Sequence, residues 1–433
     1  MELRRSGSTG RPKIHIGSKK KIAFVCSGGA TKAGAFHLGV ALALQEQGFH
    51  FLGGLAPRGG STPHVAQPME ISTYVGSSAG SIISSYLAAG YSLDNIFNSF
   101  TGREPIDPSD THPKILPRLT YPTMFKLRPG IAKEQFSQLM QLGRLLNQIV
   151  QGNWEQVLHS GLLRIQGLFS TAGIEEFLRK EVLPSNRFHD YAADLFVVAT
   201  QLNHSRKVVF GKYRYEPPPH DLTCQYDNDV TVSQACAASA ALPFVYAPYP
   251  IENKDGRSIH YIDGELRDTL SSHVAVDNGA DLVIASHTHQ PYHYMKEVGS
   301  LTEHGLPAIL VQSAYLVIEQ KVNNYIHNKQ TQRQAILSVE RYCKEQGFAP
   351  EHQLRIIEIL ESELHHRRNV DTIYIHPSPQ DAQMFFGDHF SLSQRKLSDI
   401  VKSGFKATIE KLRHYDFADR TRRSPKPKAV ELA

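Results

Sequence analysis

Short apolar runs alternate with helical repeats along most of this chain. Lys21-Ile22-Ala23-Phe24-Val25-Cys26 reads as a buried strand, and the helical pattern Phe36, Leu38, Val40, Leu42, Leu44 follows it. Ile71-Ser72-Thr73-Tyr74-Val75 is a second such run, again with a helix-like stretch behind it, beginning Ser81-Ile82-Ile83. Residues 194–200 and 207–210 read as strands, and Asn203-His204-Ser205-Arg206 between them has the length of a hairpin loop. Residues 259–262, 280–286 and 372–375 are further strand candidates. Runs that are apolar on both faces and separated by helices predict an α/β fold, its sheet mostly parallel and covered on both sides.

Other helical stretches lie outside this alternation. Phe136, Leu139, Met140, Leu146, Ile149, Val150, Val157 and Leu158 form an apolar stripe that also carries the single tryptophan, Trp154. Two readings of residues 136–163 follow: a packed surface helix, or a lid over the site described below. Residues 313–366 hold two more helical patterns, and residues 397–412 a closing helix. Residues 51–70 and 107–129 are rich in Gly and Pro and read as loops. The resulting division is a flexible basic arm at 1–20, a core at 21–290 with a helical insertion at about 101–166, a mainly helical part at 291–415 packed on that core, and a flexible basic tail at 416–433.

Composition narrows the class. Of 433 residues, 41% are hydrophobic and 21% charged, as in an ordinary globular protein, and no apolar run approaches the length of a membrane span. The start of the chain lacks the apolar core of a secretory signal, and Cys26, Cys224, Cys236 and Cys343 fit neither a disulfide framework nor a zinc ribbon. A cytoplasmic protein is expected. The net charge of +5 gathers at the ends, in Lys19-Lys20-Lys21 and residues 420–428. These read as solvated tails, with peripheral contact to an anionic membrane surface as the alternative; a nucleic-acid partner is not expected.

The candidate chemistry centres on Gly76-Ser77-Ser78-Ala79-Gly80, a sharp turn between a strand and a helix. Such a turn holds its central residue in a strained conformation, and glycines at Gly76 and Gly80 let strand and helix approach, so Ser78 presents its hydroxyl as a nucleophile at a helix N-terminus. Upstream, Ser27-Gly28-Gly29-Ala30-Thr31-Lys32 also joins a strand to a helix. Its backbone N–H groups suit an anion, either a nucleotide phosphate or the oxyanion of an acyl transfer at Ser78, or else it is a plain tight turn. Downstream, a strand ends at Asp263-Gly264, where a carboxylate can take a proton from a serine directly.

These motifs, together with Ala238-Ser239-Ala240-Ala241-Leu242-Pro243, resemble in type and order the patatin-like phospholipase family, over about residues 21–290. The resemblance implies a three-layer α/β/α sandwich with helical insertions and a helical C-terminal extension, and hydrolysis of lipid acyl esters without a cofactor. It implies Ser78 as nucleophile, Asp263 as the base of a Ser-Asp dyad, and the N–H groups of Gly28, Gly29 and Ala30 as the oxyanion hole. Three positions depart from the family pattern: Ala30 stands where a third glycine is usual, Ala33 stands where the last is, with Gly34 one position late, and Glu265 follows Gly264. Glu265 is expected to face solvent; turned inward, it would raise the pKa of Asp263.

Two other readings stay open. One is a Ser-His-Asp esterase in which His287, His289 or His293 completes a triad. The other is a lipid- or protein-binding member of the same fold without turnover. The same three histidines, at H-x-H-x3-H spacing, lack an accompanying thiol or carboxylate, and no metal is expected there.

Overall fold

In the computed structural model, which describes residues 13–57, 66–102, 115–128, 167–213, 223–267 and 269–419, the chain enters the fold at strand β1 (Ile14–Ile16). It passes through β2 (Ile22–Cys26), α1 (Ala30–Glu46), the short β3 (His50–Phe51) and β4 (Glu70–Ser77) to α2 (Ala79–Ala89) and α3 (Leu93–Thr101). Then come α4 (Tyr121–Met124), β5 (Lys126–Leu127), β6 (Phe169–Ser170) and α5 (Ala172–Phe177). The next elements are β7 (Asp194–Gln201), β8 (Arg206–Gly211), β9 (Cys224–Asp227), α6 (Val232–Ser239), β10 (Tyr249–Glu252), β11 (Ser258–Asp263), α7 (Ser272–Asp277) and β12 (Leu282–Ser286). The rest is α8 (Gly305–Glu345), α9 (Pro350–Glu363), β13 (Asp371–Ile375), α10 (Ala382–Phe386), α11 (Gln394–Leu412) and β14 (Tyr415–Phe417). The stripe at 136–163, with Trp154, and the basic run at 420–428 lie outside the described residues.

A ten-stranded sheet runs β10-β11-β7-β4-β2-β12-β13, with β3 on β4 and β8 and β9 beyond β7. The joins among β7, β4, β2, β12 and β13 are parallel, so the sheet is mostly parallel with helices on both sides. The pleat sends alternate residues of each strand to opposite faces. Phe24, Tyr74, Leu195 and Val197 join a core built with α1, α2 and α11, while Ala23, Val25, Val75 and Phe196 join one built with α7 and Val322 of α8.

One edge of β7 is occupied by two strands in succession. β4 runs parallel to it as far as Ser77 opposite Val198, and β11 comes from the other direction, antiparallel, as far as Asp263 opposite Ala199. The ends of β4 and β11 therefore meet head to head, one β7 residue apart, which is about 3.3 Å along a strand.

At the chain ends, described residues of the expected basic arm are paired into the fold, and the part beyond 290 packs on the core and adds to its sheet. β1 pairs with β14 in parallel, and the Lys20 and Lys21 backbone N–H groups donate to Asp281 at 2.9 Å each. Lys19 pairs with Asp371 at 2.7 Å and Lys21 with Asp194 at 2.7 Å, so two of the three basic residues there are neutralised internally and do not form an anion-binding arm. β13 belongs to the central sheet, and α11 crosses α1 at two glycines. A Cβ on Gly39 would stand 2.0 Å from the Val401 carbonyl, and one on Gly404 2.2 Å from the Phe36 carbonyl. Backbone cannot move aside as a rotamer can. Gly39→Ala or Gly404→Ala should therefore lower unfolding stability by roughly 3 kcal/mol or more in urea titrations, whereas Gly17→Ala, with open space around it, should stay within about 0.5 kcal/mol.

Candidate active site

Ser78 occupies the turn between β4 and α2 with φ 51° and ψ −125°, a conformation that a residue with a Cβ rarely adopts. Both flanking glycines are sterically required. A Cβ at Gly76 would lie 2.5 Å from Gly80 O, and one at Gly80 would lie 2.2 Å from Cys26 O. The turn is also tied down from beneath. The Ser78 N–H donates to Ser239 Oγ at 2.7 Å, and that hydroxyl donates to the Val198 carbonyl at 2.5 Å. The Ser78 N–H is thus occupied within the protein, which leaves the role of anion donor to other groups.

Asp263 arrives from the other side of the β7 edge. Its N–H donates to the Ala241 carbonyl at 3.0 Å, its carbonyl accepts from Thr200 Oγ1 at 3.0 Å, and its Oδ1 accepts the Glu265 N–H at 2.9 Å. Gly264 permits the approach, because a Cβ there would stand 2.2 Å from Val198 O. The Ser78 side chain stands close enough to the Asp263 carboxyl to lower its pKa, in opposition to burial. Burial pushes this carboxyl up to about 6, against the opposing effects of the Ser78 hydroxyl and the Glu265 N–H.

Glu265 does not face solvent as expected. It is buried, lines the same cavity, and places its Cγ where a Cβ on Gly28 would have to go, 2.6 Å away. Its side chain is turned inward because Gly264 seats the start of the following 3-10 turn directly on β7. Desolvation is nevertheless the cause of the raised Asp263 pKa, and the Glu265 backbone N–H opposes it.

The glycine loop lies against the turn. A Cβ on Gly28 would stand 2.9 Å from Ser78 Cβ. Gly29 has φ 127° and Ala30 φ 56°, which swing the loop into α1. The Gly28 carbonyl accepts from Thr288 Oγ1 at 3.2 Å, and among the described residues the N–H groups of Gly28 and Gly29 donate to no protein acceptor. Beneath the loop, His37 joins the ends of β2 and β12 through Ser27 O at 2.9 Å and Ser286 Oγ at 2.7 Å. Burial holds its ring down at about 4, and hence neutral.

A cavity of about 550 Å³ opens over Ser78 and Asp263. Its walls are largely apolar, with Ile82, Ile83, Phe100, Met124, Tyr246 and Leu397 among them, a lining suited to a hydrocarbon chain. The three histidines after β12 do not converge: His289 lines this cavity, His287 is buried, and His293 is exposed. His289 is held far from protonation, at about 3, by burial and by Lys32. Among the described residues no cluster of His, Cys, Asp and Glu is placed to hold a metal.

Several cavity residues were not singled out by the sequence. Tyr315 of α8, His389 and Phe390 come from beyond residue 290, and no local pattern marks them. Ser239 was visible only inside a motif. A hydroxyl between small residues that pack a helix against β7 is the signal that could have identified it, since such a hydroxyl needs a backbone partner.

The comparisons with known proteins bear on the same region. No curated protein matches the chain. A family model described as patatin-like phospholipase matches residues 24–276, a stretch that contains the glycine loop, the Ser78 turn, Ser239 and Asp263 and exceeds half of the chain. With the mostly parallel sheet and its two helical layers, that match establishes that the chain belongs to the patatin-like phospholipase family.

Proposed function

We propose that the protein is a serine acyl hydrolase, a phospholipase A or lipid esterase, that cleaves fatty acyl esters with a Ser78-Asp263 dyad through an acyl-enzyme. Family membership supports lipid acyl hydrolysis in general. The observation that carries the finer reading is the placement of Ser78 and Asp263 together in one apolar cavity, at the facing ends of β4 and β11 on a single edge of β7. Asp263 takes the hydroxyl proton as Ser78 Oγ attacks the ester carbonyl carbon. The N–H groups of Gly28, Gly29 and Ala30 receive the negative charge on the carbonyl oxygen. Collapse breaks the ester bond, and the leaving alcohol takes the proton back from Asp263. Water then attacks the acyl-enzyme, with Asp263 again as proton acceptor, and releases the fatty acid.

The Ser-His-Asp reading has less support. Nδ1 of His287 and Nδ1 of His289 are buried without a hydrogen-bond partner, so neither ring is oriented by a carboxylate as a triad histidine is. Ser78→Ala should abolish hydrolysis of a p-nitrophenyl ester and of phospholipid, and fluorophosphonate labelling should disappear with it. Asp263→Asn should lose about a thousandfold in kcat, while His287→Gln and His289→Gln stay within about ten-fold. A triad would instead lose most activity with one of the histidines. Folded wild-type protein that neither turns over nor labels would favour the non-catalytic binding member of the family.

The raised pKa of Asp263 makes two further demands. The base must be ionised to act, so kcat/KM should fall as pH drops through about 6. Folding, conversely, favours the protonated carboxyl, because the folded value of about 6 exceeds the ordinary 3.8. The cost of ionising the buried group grows as pH rises through 6 and reaches about 3 kcal/mol. Asp263→Asn should thus be more stable than wild type at pH 8, with the difference vanishing towards pH 4, as read by thermal melts across pH. A variant no more stable at pH 8 than at pH 4 relative to wild type would contradict the buried-carboxylate assignment.

Substrate in a bilayer must reach the cavity from its mouth, and the rim fits peripheral contact with a lipid surface. Leu266 and Val317 both line the cavity and stand 47% and 54% exposed. Phe244, between cavity-lining Leu242 and Tyr246, is 96% exposed and is held at φ 72°. No helix among the described residues is long and apolar enough to cross a membrane. Phe244→Asp should reduce hydrolysis of phospholipid vesicles about ten-fold, the value of one buried aromatic ring, and leave a soluble short ester within about two-fold. Equal losses on both substrates would place Phe244 in the catalytic fold and not at an interface.

A further inference from the structure

Of the two loop residues that depart from the family pattern, Ala30 and Ala33, it is Ala30 whose φ, 56°, lies in the left-handed region. That region is disfavoured for alanine by roughly ten-fold or more, whereas glycine enters it freely. A conformation of this kind persists only where its surroundings over-determine it.

The surroundings here are hydrogen bonds on the next two residues, all to the C-terminal part of the chain beyond the family-matched stretch. Thr31 Oγ1 shares its proton between the carbonyls of His389 at 2.7 Å and Ser391 at 3.2 Å. The Lys32 N–H donates to the same His389 carbonyl at 3.3 Å. The Lys32 side chain is fully buried and reaches the Met384 carbonyl at 2.7 Å, the Tyr315 hydroxyl at 3.2 Å and His389 Nε2 at 3.1 Å. The Tyr315 hydroxyl and His389 Nε2 are themselves 2.7 Å apart, which closes a triangle of polar heads. Among the described residues no carboxylate bonds this lysine directly. Burial draws it down to about 7, opposed by the more distant charge of Asp381. Burying an amine without a bonded acid is costly, and simple packing of α1 would be better served by an apolar side chain.

We propose that residues 389–391, with Tyr315 and Met384, form a clasp on Thr31 and Lys32 that holds Ala30 in its left-handed conformation, and so aims the Gly28-Gly29-Ala30 N–H groups at the substrate oxyanion. The C-terminal part then completes the catalytic site, standing in for the missing third glycine. Thr31, Lys32, Tyr315 and His389 are positioning residues, acting through the loop. The inference rests on the acyl-hydrolase reading above.

A double-mutant cycle tests it. Thr31→Val keeps the side-chain shape and removes the shared proton. With a soluble p-nitrophenyl ester, kcat should fall about ten-fold while KM stays within about two-fold, and fluorophosphonate labelling of Ser78 should slow in parallel. In an Ala30→Gly background, where the left-handed φ needs no support, Thr31→Val should cost no more than about two-fold. Packing alone does not produce that coupling. An unchanged kcat in Thr31→Val, or the same loss in both backgrounds, overturns the clasp. Should Thr31→Val fail to fold, Tyr315→Phe, which removes only a hydroxyl, carries the same cycle with the same expected coupling. Ser78→Ala is measured alongside. Its loss of activity together with an additive cycle defeats the clasp alone, whereas activity surviving in Ser78→Ala defeats the catalytic reading itself.

Discussion

The site depends on one edge of β7. Because β4 and β11 share that edge from opposite directions, Ser77 opposite Val198 and Asp263 opposite Ala199 are neighbours by hydrogen-bond register, not by side-chain flexibility. Strand register is specified by burial of one residue set per face, and a slip of one residue would invert every side chain of β11. The same strand supplies the Val198 carbonyl that anchors Ser239 and, through it, the Ser78 N–H. Gly264 removes the one Cβ that would collide with this carbonyl. Two side chains brought together by backbone pairing lose little freedom when a ligand binds, as a preorganised site requires.

Around that edge burial shifts several titratable groups of the site towards their uncharged forms. Burial holds His37 and His289 neutral and raises Asp263 towards the pH at which a carboxylate becomes an effective base. An apolar cavity lined by few charges is also the one in which a hydrocarbon chain gains most by leaving water. The raised pKa of Asp263 and the apolar lining of the cavity thus share one cause, exclusion of solvent by the packing of α2, α8 and the segment around Phe390.

The C-terminal part is woven into this arrangement. β13 extends the sheet, β14 pairs with β1, and α11 crosses α1 at Gly39 and Gly404, closer than any side chain would allow. α1 begins in the glycine loop, so whatever locates α1 also locates the loop. The family-matched stretch and the remainder therefore act on the same few ångströms of backbone.

What the sequence by itself determined is local. Apolar runs and helical repeats sufficed for the α/β alternation and for β2, β4, β7, β8, β11, β12, β13 and α11, because short-range periodicity dictates which face of an element must be buried. Glycine spacing sufficed for the turn at Ser78, since a Cβ at Gly76 would strike Gly80 and Ser81 of the same turn, although the carbonyls that demand Gly80 belong to Cys26 and Ser27 at the end of β2. The tertiary structure alone decided the rest. Glu265 turns inward because Gly264 seats on β7, Lys19 and Lys21 are neutralised by acids more than 170 residues away, and His289 enters the cavity while His293 does not. Tyr315 and His389 reach Lys32 across separations of 283 and 357 residues. No pattern in a window of sequence records such contacts, because they are fixed by which strands pair and which helices cross, and those choices are made only when the whole chain is packed.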